Sequence, residues 1–192
     1  MIRIIVSLLG MAFMARIFLK LVGVLIFHLR GGVACARWKG VKVGEGCRIY
    51  VRDFGTEPFL ISLGDRVTVA QGCVFLTHDG STWLVRDTDG ERYFRFLPIS
   101  VGSDVFIGAN SLIMPGVRIG SRVVIGAGSV ITRDVPDGVI TAGNPAREIG
   151  LFSDYENKIK SSCPKEGDLK GADSYMGRVS IALNFYFRRQ FH

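Results

Sequence analysis

The sequence predicts an all-β solenoid, a three-sided parallel β-helix, with an apolar helical segment before it and a C-terminal extension after it. Three observations predict this fold. Aliphatic residues recur every six positions, glycine often follows them, and a small or β-branched residue lies four places after each. An amphipathic helix spaces its apolar residues by three and four, and a half-buried strand spaces them by two, so neither accounts for the period.

The first segment, residues 1–40, is very apolar but is interrupted by charges. Its longest uncharged stretch runs from Ile4 to Ala15, which is shorter than the roughly 20 residues that cross a bilayer. No small-residue cleavage site follows the apolar run, which argues against a secretory signal peptide. We predict helical structure, either a helix lying in the membrane interface or a helical hairpin packed on the protein's own core or on a neighbouring subunit.

Residues 41–149 carry the repeat and form the predicted β-helix domain. Six residues make one short strand and one turn, and three such units close a triangular coil. The large residue should point into the prism and the small one should fill the corner. Glycine should relieve the turn, either because a side chain would collide there or because φ must be positive. The large residues are Val43, Ile49, Leu63, Val69, Phe75, Val101, Ile107, Ile113, Ile119, Ile125 and Ile131; the small ones are Cys47, Val67, Cys73, Val105, Ser111, Val117, Val123, Ser129 and Val135.

The repeat loses its register in two places. Ile49 and Leu63 are separated by fourteen positions, which predicts two extra residues near Gly55–Pro58. Phe75 and Val101 are separated by twenty-six, so about one coil of chain must leave the prism as a loop over residues 78–98. Long excursions from a rigid scaffold commonly carry function, so we expect part of the site in this loop.

The last segment, residues 150–192, has a different composition. A polar stretch from Ser153 to Asp173 resembles a linker or a short helix, and an aromatic, basic stretch follows it. This extension either covers the open end of the solenoid or contacts a membrane. The net charge of +7 is spread along the chain without a basic helix or an RNA-binding aromatic pattern, so nucleic acid is not an expected partner.

The repeats, the segment THDGSTW and the ending ITRDVPDGVITAGNPAREIG resemble the hexapeptide-repeat acyltransferases. The resemblance covers about residues 41–149 and is closest to the galactoside, maltose and capsular-polysaccharide O-acetyltransferases. It implies a left-handed parallel β-helix, a homotrimer, and acetyl-CoA bound in the cleft between two subunits, with no metal. The left hand comes from the resemblance alone, because the period does not determine it.

His78 is the predicted catalytic residue. It lies where the solenoid gives way to the long loop, whereas His28 and His192 lie in the terminal segments. The motif Thr77-His78-Asp79 matches the position of the family's catalytic histidine. A neutral imidazole suits the removal of a proton from a hydroxyl near neutral pH. For the acceptor we expect Asp53, Asp79 and Trp83, although Asp79 followed by glycine is also an ordinary turn pair.

The resemblance also places the contacts of the acetyl donor. Ala109 and Ala127 would offer backbone N–H groups to the thioester and the pantetheine arm. Thr132 and Arg133 follow on the next side. Arg133 and Arg147 would bind the nucleotide phosphates, because guanidinium groups suit several charged oxygens.

The predicted function is acetyl-CoA-dependent O-acetylation of a sugar hydroxyl in surface-polysaccharide biosynthesis, by direct transfer with His78 as general base. The alternatives are a nucleotide-sugar N-acetyltransferase and a non-catalytic solenoid scaffold. A zinc-dependent carbonic anhydrase on the same solenoid is disfavoured, because the repeat region holds one histidine. The apolar first segment favours an acceptor attached to a membrane lipid, and a cytoplasmic protein with peripheral contact to the inner face of the membrane.

Overall fold

The computed structural model describes residues 2–190, without the side chains of residues 2–13, 15–17 and 188–190. His192 and the side chains of Arg3 and Arg16 therefore lie outside the described part. The chain divides into two compact units, Met1–Ile149 and Gly150–His192.

The chain begins with helix α1 and continues with short strands that form three parallel sheets. Helix α1 spans Ile2–Lys39, and the strands are β1 (Lys42–Val43), β2 (Arg48–Ile49), β3 (Ile61–Leu63), β4 (Thr68–Val69), β5 (Val74–Phe75), β6 (Ile99–Val101), β7 (Val105–Ile107), β8 (Leu112–Ile113), β9 (Arg118–Ile119), β10 (Val123–Ile125), β11 (Val130–Ile131), β12 (Val139–Gly143) and β13 (Ala146–Leu151). The sheets have the orders β1-β3-β6-β9, β13-β12-β10-β7-β4-β2 and β11-β8-β5. From β1 to β12, successive strands along the chain thus belong to different sides of a triangular coil, whereas β13 pairs with β12 in the same sheet.

The pairing of strands between successive coils shows both predicted interruptions of the six-residue repeat. In the regular part, Val105 pairs with Val123, eighteen residues later, which is one coil of three six-residue units. Arg48 pairs with Thr68, an offset of twenty, so the first coil holds two extra residues. Thr68 pairs with Phe106, an offset of thirty-eight, so the second coil holds twenty extra residues.

The interior of the prism is the predicted column of large aliphatic residues. Ile107, Ile113 and Ile125 are completely buried, and the small corner residues are buried beside them, except Cys47, which is half-buried. Polar corner residues bond to backbone carbonyls of the turns, as buried polar groups generally must. Ser111 Oγ donates to the Gly108 carbonyl over 2.8 Å, and Cys73 Sγ lies 3.1 Å from the same oxygen.

Helix α1 is kinked at Gly31, where φ is +82° and ψ is 173°. The short arm after the kink packs on the first coil. A Cβ atom at Gly32 would collide with the backbone of Ile49, and Ala36 is fully buried in the core. The long arm folds back against the short one, since Cys35 Sγ lies 3.5 Å from the Gly23 carbonyl. The segment is therefore a helical hairpin whose short arm covers the first coil of the prism.

Among the described residues, one helical segment, Phe18–Lys39, is apolar and long enough to cross a membrane by length and composition. The charges that interrupt this segment predict instead that it does not span a bilayer. The kink at Gly31 divides this segment, and its last turns pack on the first coil.

The second unit contains helices α2 (Phe152–Ser162) and α3 (Tyr175–Gln190), with a 3₁₀ turn at Glu166–Leu169 between them. The polar stretch is thus partly helical. The aromatic, basic stretch, whose secondary structure the sequence does not predict, is helical as well.

Candidate active site

His78 follows strand β5, at the corner where the second coil opens into the long loop. The loop leaves and returns side by side, since the Leu97 N–H donates to the Thr77 carbonyl over 2.8 Å and the Asp79 N–H to the Arg95 carbonyl over 3.0 Å. His78 is thereby fixed at the base of the loop. Its side chain is 45% exposed, so it is open to a ligand.

Glu57 orients the imidazole ring of His78. Its Oε2 lies 3.0 Å from His78 Nδ1 and accepts a hydrogen bond from Thr77 Oγ1 over 2.7 Å. Burial acts to raise the pKa of the Glu57 carboxyl, but hydrogen bonds from Thr56, Thr77 and His78 outweigh this and hold the pKa below its usual value.

The ionised state of Glu57 determines which nitrogen of His78 can act as a base. A carboxylate only accepts hydrogen bonds, so Nδ1 must carry the proton of the neutral ring. The lone pair of Nε2 is then available to remove a proton from a substrate, the arrangement that general-base histidines require.

The loop and the base of the prism form an open cavity of about 560 Å³ next to His78. Its lining includes Glu57, Asp79, Trp83 and the side chains of the returning loop. A second cavity, of about 350 Å³, shares His78 and Asp79 and extends to Thr132. Both volumes lie in the usual range of small-molecule sites.

The three predicted acceptor residues lie in different surroundings. Trp83 lines the larger cavity. Asp79 also lines it, and its Oδ1 accepts from the backbone and the hydroxyl of Ser81, at 3.0 and 2.6 Å, as in an ordinary turn. The bonds from Ser81 hold the pKa of Asp79 below its usual value. The carboxylate that is hydrogen-bonded to the His78 ring is that of Glu57. Asp53 accepts from the Gly55 N–H over 3.1 Å and lines none of these cavities.

The predicted donor residues separate into two groups. Thr132, Arg133 and Arg147 together line a pocket of about 210 Å³ formed by the turn after β11 and the start of β13. Because Thr132 also lines the cavity of His78, this group is continuous with the candidate catalytic residue.

Ala109 and Ala127 lie at another corner of the prism. They follow β7 and β10 of the six-stranded sheet, whereas His78 and Thr132 follow β5 and β11 of the three-stranded sheet. Within the described residues neither alanine N–H has a backbone hydrogen-bond acceptor. One chain does not bring these alanines to His78, since they line none of the cavities around it.

Comparison with known proteins identifies the family. A family model described as the hexapeptide repeat of succinyl-transferase matches residues 98–133. Protein CapG of Staphylococcus aureus is 52% identical over 123 residues, which are 62% of this chain and 71% of CapG. The galactoside O-acetyltransferase of Escherichia coli is 36% identical over 100 residues, 52% of this chain and 48% of that enzyme. The chain belongs to the hexapeptide-repeat acyltransferase family.

Membership in the hexapeptide-repeat acyltransferases confirms the predicted fold class, the left-handed parallel β-helix, and makes the chain an acyltransferase. Among solved structures, a hexapeptide-repeat acetyltransferase from Vibrio cholerae is 27% identical with a TM-score of 0.47, covering 59% of this chain and 63% of its own. The chain thus spans about half of the galactoside O-acetyltransferase, 63% of the Vibrio protein and 71% of CapG.

Two residues that line the candidate site, Glu57 and Arg92, are not among those that the sequence predicts. Glu57 lies within the predicted two-residue break, twenty positions before Thr77, which is the pairing offset of the first coil. This offset was the feature of the sequence that could have indicated that Glu57 lies beside Thr77 and His78. Arg92 lies in the returning half of the loop, whose path no repeat predicts, and no pattern in the sequence indicates it.

We expect Glu57→Gln to lower kcat about tenfold to a hundredfold, the usual value of a hydrogen bond to a charged group. The amide keeps the shape but no longer stabilises the imidazolium that forms when Nε2 takes a proton. Thiol release from acetyl-CoA measures the effect, with the KM for acetyl-CoA unchanged. Glu91→Gln, in the same loop but outside the cavity, is the matched control. Equal rates for the two variants would exclude Glu57 from the mechanism.

Proposed function

We propose that the protein is an acetyl-CoA-dependent O-acetyltransferase acting on a carbohydrate hydroxyl, with His78 as general base, in surface-polysaccharide biosynthesis. The observation that carries the proposal is the pairing of His78 Nδ1 with the Glu57 carboxylate at 3.0 Å, which leaves Nε2 free to act as a base at a cavity large enough for a sugar. The family supplies the acyl-transfer chemistry.

In the proposed reaction, His78 Nε2 removes the proton of the acceptor hydroxyl as its oxygen attacks the thioester carbonyl. A tetrahedral oxyanion forms, and backbone N–H groups stabilise such an anion. The C–S bond then breaks, and the imidazolium returns its proton to the sulfur of coenzyme A. Since the hydroxyl attacks directly, no serine or cysteine nucleophile is required.

The position of the alanines supports assembly as a homotrimer. Ala109 and Ala127 present N–H groups at one corner of the prism, and His78 with Thr132 lies at another. A three-fold arrangement brings the first corner of one chain against the second corner of its neighbour, as closed symmetric assemblies do. The donor would then lie between two subunits, with Thr132, Arg133 and Arg147 near its charged end.

Thiol release from acetyl-CoA in the presence of a panel of sugars, nucleotide sugars and lipid-linked glycans tests the function. Release with one acceptor class supports it. Mild alkali then distinguishes the products, because it cleaves an O-acetyl ester and leaves the amide of the alternative N-acetyltransferase. Absence of both turnover and stabilisation by coenzyme A would instead favour the non-catalytic scaffold.

The long arm of α1 supports a position at the inner face of the cytoplasmic membrane. Phe18, Leu21, Leu25 and Leu29 follow each other at helical spacing, and each side chain is more than half exposed. Cations at Lys20 and Arg30 lie near them. We propose that this face inserts into the interface of an anionic membrane, where a lipid-linked acceptor would be available.

We expect the Leu21→Glu/Leu25→Glu variant to lose binding to vesicles of phosphatidylglycerol and phosphatidylcholine, because two charges would have to enter the apolar boundary. Sedimentation with the vesicles measures it. The pair Leu84→Glu/Ile149→Glu, equally exposed but elsewhere on the chain, should still sediment with vesicles. Unchanged binding of the first variant would refute the membrane contact.

A further inference from the structure

We propose that the acceptor is an anionic carbohydrate whose carboxylate or phosphate is bound by Arg92. The inference rests on the proposed transferase function and names its substrate class. Arg92 lines the cavity that also contains His78, so a single ligand filling this cavity can present an anionic group to Arg92 and a hydroxyl to His78.

The guanidinium of Arg92 contacts two aromatic rings. Its central carbon lies 3.7 Å from the ring centre of Trp83 and 5.1 Å from that of Phe94. Stacking of this kind fixes the plane of the guanidinium and leaves the N–H groups at its edge directed outward. Such an edge matches the two oxygens of a carboxylate or phosphate.

Arg92 also has no salt-bridge partner among the described residues. Its Nε is the one buried side-chain nitrogen or oxygen in the described part of the chain that has no hydrogen-bond partner. A dry, unpaired donor on a cation is costly, and a bound anion removes that cost. Neighbouring Arg86 differs in this respect, because its Nη1 donates to the Gly90 carbonyl over 3.2 Å.

The acidic groups of the same cavity are already paired. Glu57 is bonded to Thr77 and His78. Asp79 is bonded to Ser81, and its other oxygen lies 3.7 Å from Arg95 Nη1. Among the charged residues that line this cavity, Arg92 is therefore the one whose side chain has neither an ion pair nor a hydrogen bond within the described chain. We expect it to attract an anion even though carboxylates lie nearby.

Aromatic rings connect the Arg92 end of the cavity to the catalytic end. The rings of Phe94 and Phe96 stack with centres 6.3 Å apart, and Phe96 lies 6.1 Å from the His78 ring. Both phenylalanines line the cavity and are more than half exposed. The apolar face of a sugar ring can lie on this surface, with its anionic group at Arg92 and a hydroxyl at His78.

The experiment compares methyl β-glucoside, methyl β-glucuronide and glucose 1-phosphate as acceptors with the full-length protein and acetyl-CoA. We expect kcat/KM at least about tenfold higher for an anionic probe than for the neutral one, the value of a charged hydrogen bond. The glucuronide and the phosphate reveal which anion fits. Arg92→Gln should remove the preference, Arg92→Lys should restore part of it, and Arg86→Gln, which lies outside the cavity lining, should retain it.

Binding of the same three probes in the presence of coenzyme A, measured by calorimetry, separates this inference from the proposed function. Turnover without a charge preference overturns the anionic site and leaves the transferase intact. Preferential anion binding that Arg92→Gln abolishes, without turnover, supports the site and overturns the proposed reaction. Absence of binding to every probe overturns the site.

Discussion

Replacing His78 with alanine is expected to lower kcat by about 10²- to 10⁴-fold, the contribution of a positioned general base. The variant loses Nε2, the atom that would accept the proton of the attacking hydroxyl. Its stability should hardly change, because the side chain is 45% exposed and lies outside the interior column. Thiol release from acetyl-CoA measures the loss of activity, and a melting curve with and without coenzyme A shows that the donor still binds.

His28→Ala is the matched control for this loss. His28 lies on the long arm of α1 and contacts the ring of Phe27 with centres 5.7 Å apart, away from the candidate site. The His28→Ala variant should retain the activity of the unaltered protein. A His78→Ala variant with undiminished turnover would remove His78 from the mechanism and require another base at the cavity.

The pairing of His78 with Glu57 shows how far the six-residue repeat predicts the site. The repeat predicts burial, because every six-residue unit must place one large and one small residue at equivalent points of the prism. It therefore located Ile107, Ile125 and the corner residues correctly. Glu57 lies where the repeat is interrupted, so its contact with His78 follows from the path of two extra residues, which the period does not describe.

The wall of the cavity next to His78 likewise contains residues whose positions the six-residue repeat does not predict. The sequence located the loop, because twenty residues must leave the second coil, and it included Trp83 in the site. The partners of Trp83 depend on how the loop returns, through the pairing of His78 with Phe96 and of Arg86 with Arg92. These contacts are antiparallel and irregular, so Arg92 had no periodic position from which it could be predicted.

Glycine at the corners was predicted for either of two reasons, and the structure distinguishes them at Gly102. A positive φ is taken in this turn by Asp104, at +58°, and Gly102 itself has no positive φ. A Cβ atom at Gly102 would instead lie 2.8 Å from the backbone carbonyl of Gly120 in the next coil. The same arrangement recurs at Gly64, whose Cβ would lie 2.7 Å from the carbonyl of Gly102. Collision between stacked coils is therefore the reason for glycine at this corner.

We expect Gly102→Ala to lower the free energy of unfolding by about 2–4 kcal/mol, the upper range for overpacking a rigid interior. The added Cβ would meet the Ser121 Oγ at 2.5 Å as well as the Gly120 carbonyl. The serine can rotate away, but the backbone carbonyl cannot, so relief requires neighbouring coils to separate and their strand pairing to weaken. Denaturant unfolding at one fixed protein concentration measures the change.

Two further glycines separate collision from backbone strain. At Gly128 an added Cβ meets nothing within 4 Å, but φ is +70°, so Gly128→Ala should cost about 1–2 kcal/mol from the left-handed conformation alone. At Gly80 the space is equally open and φ is not positive, so Gly80→Ala should stay within about 0.5 kcal/mol of the unaltered protein. If Gly102→Ala cost no more than Gly80→Ala, close stacking of the coils would not be the reason for the corner glycines. The predicted order, with Gly102→Ala the most damaging, follows only if the distance between coils is fixed by their backbone pairing.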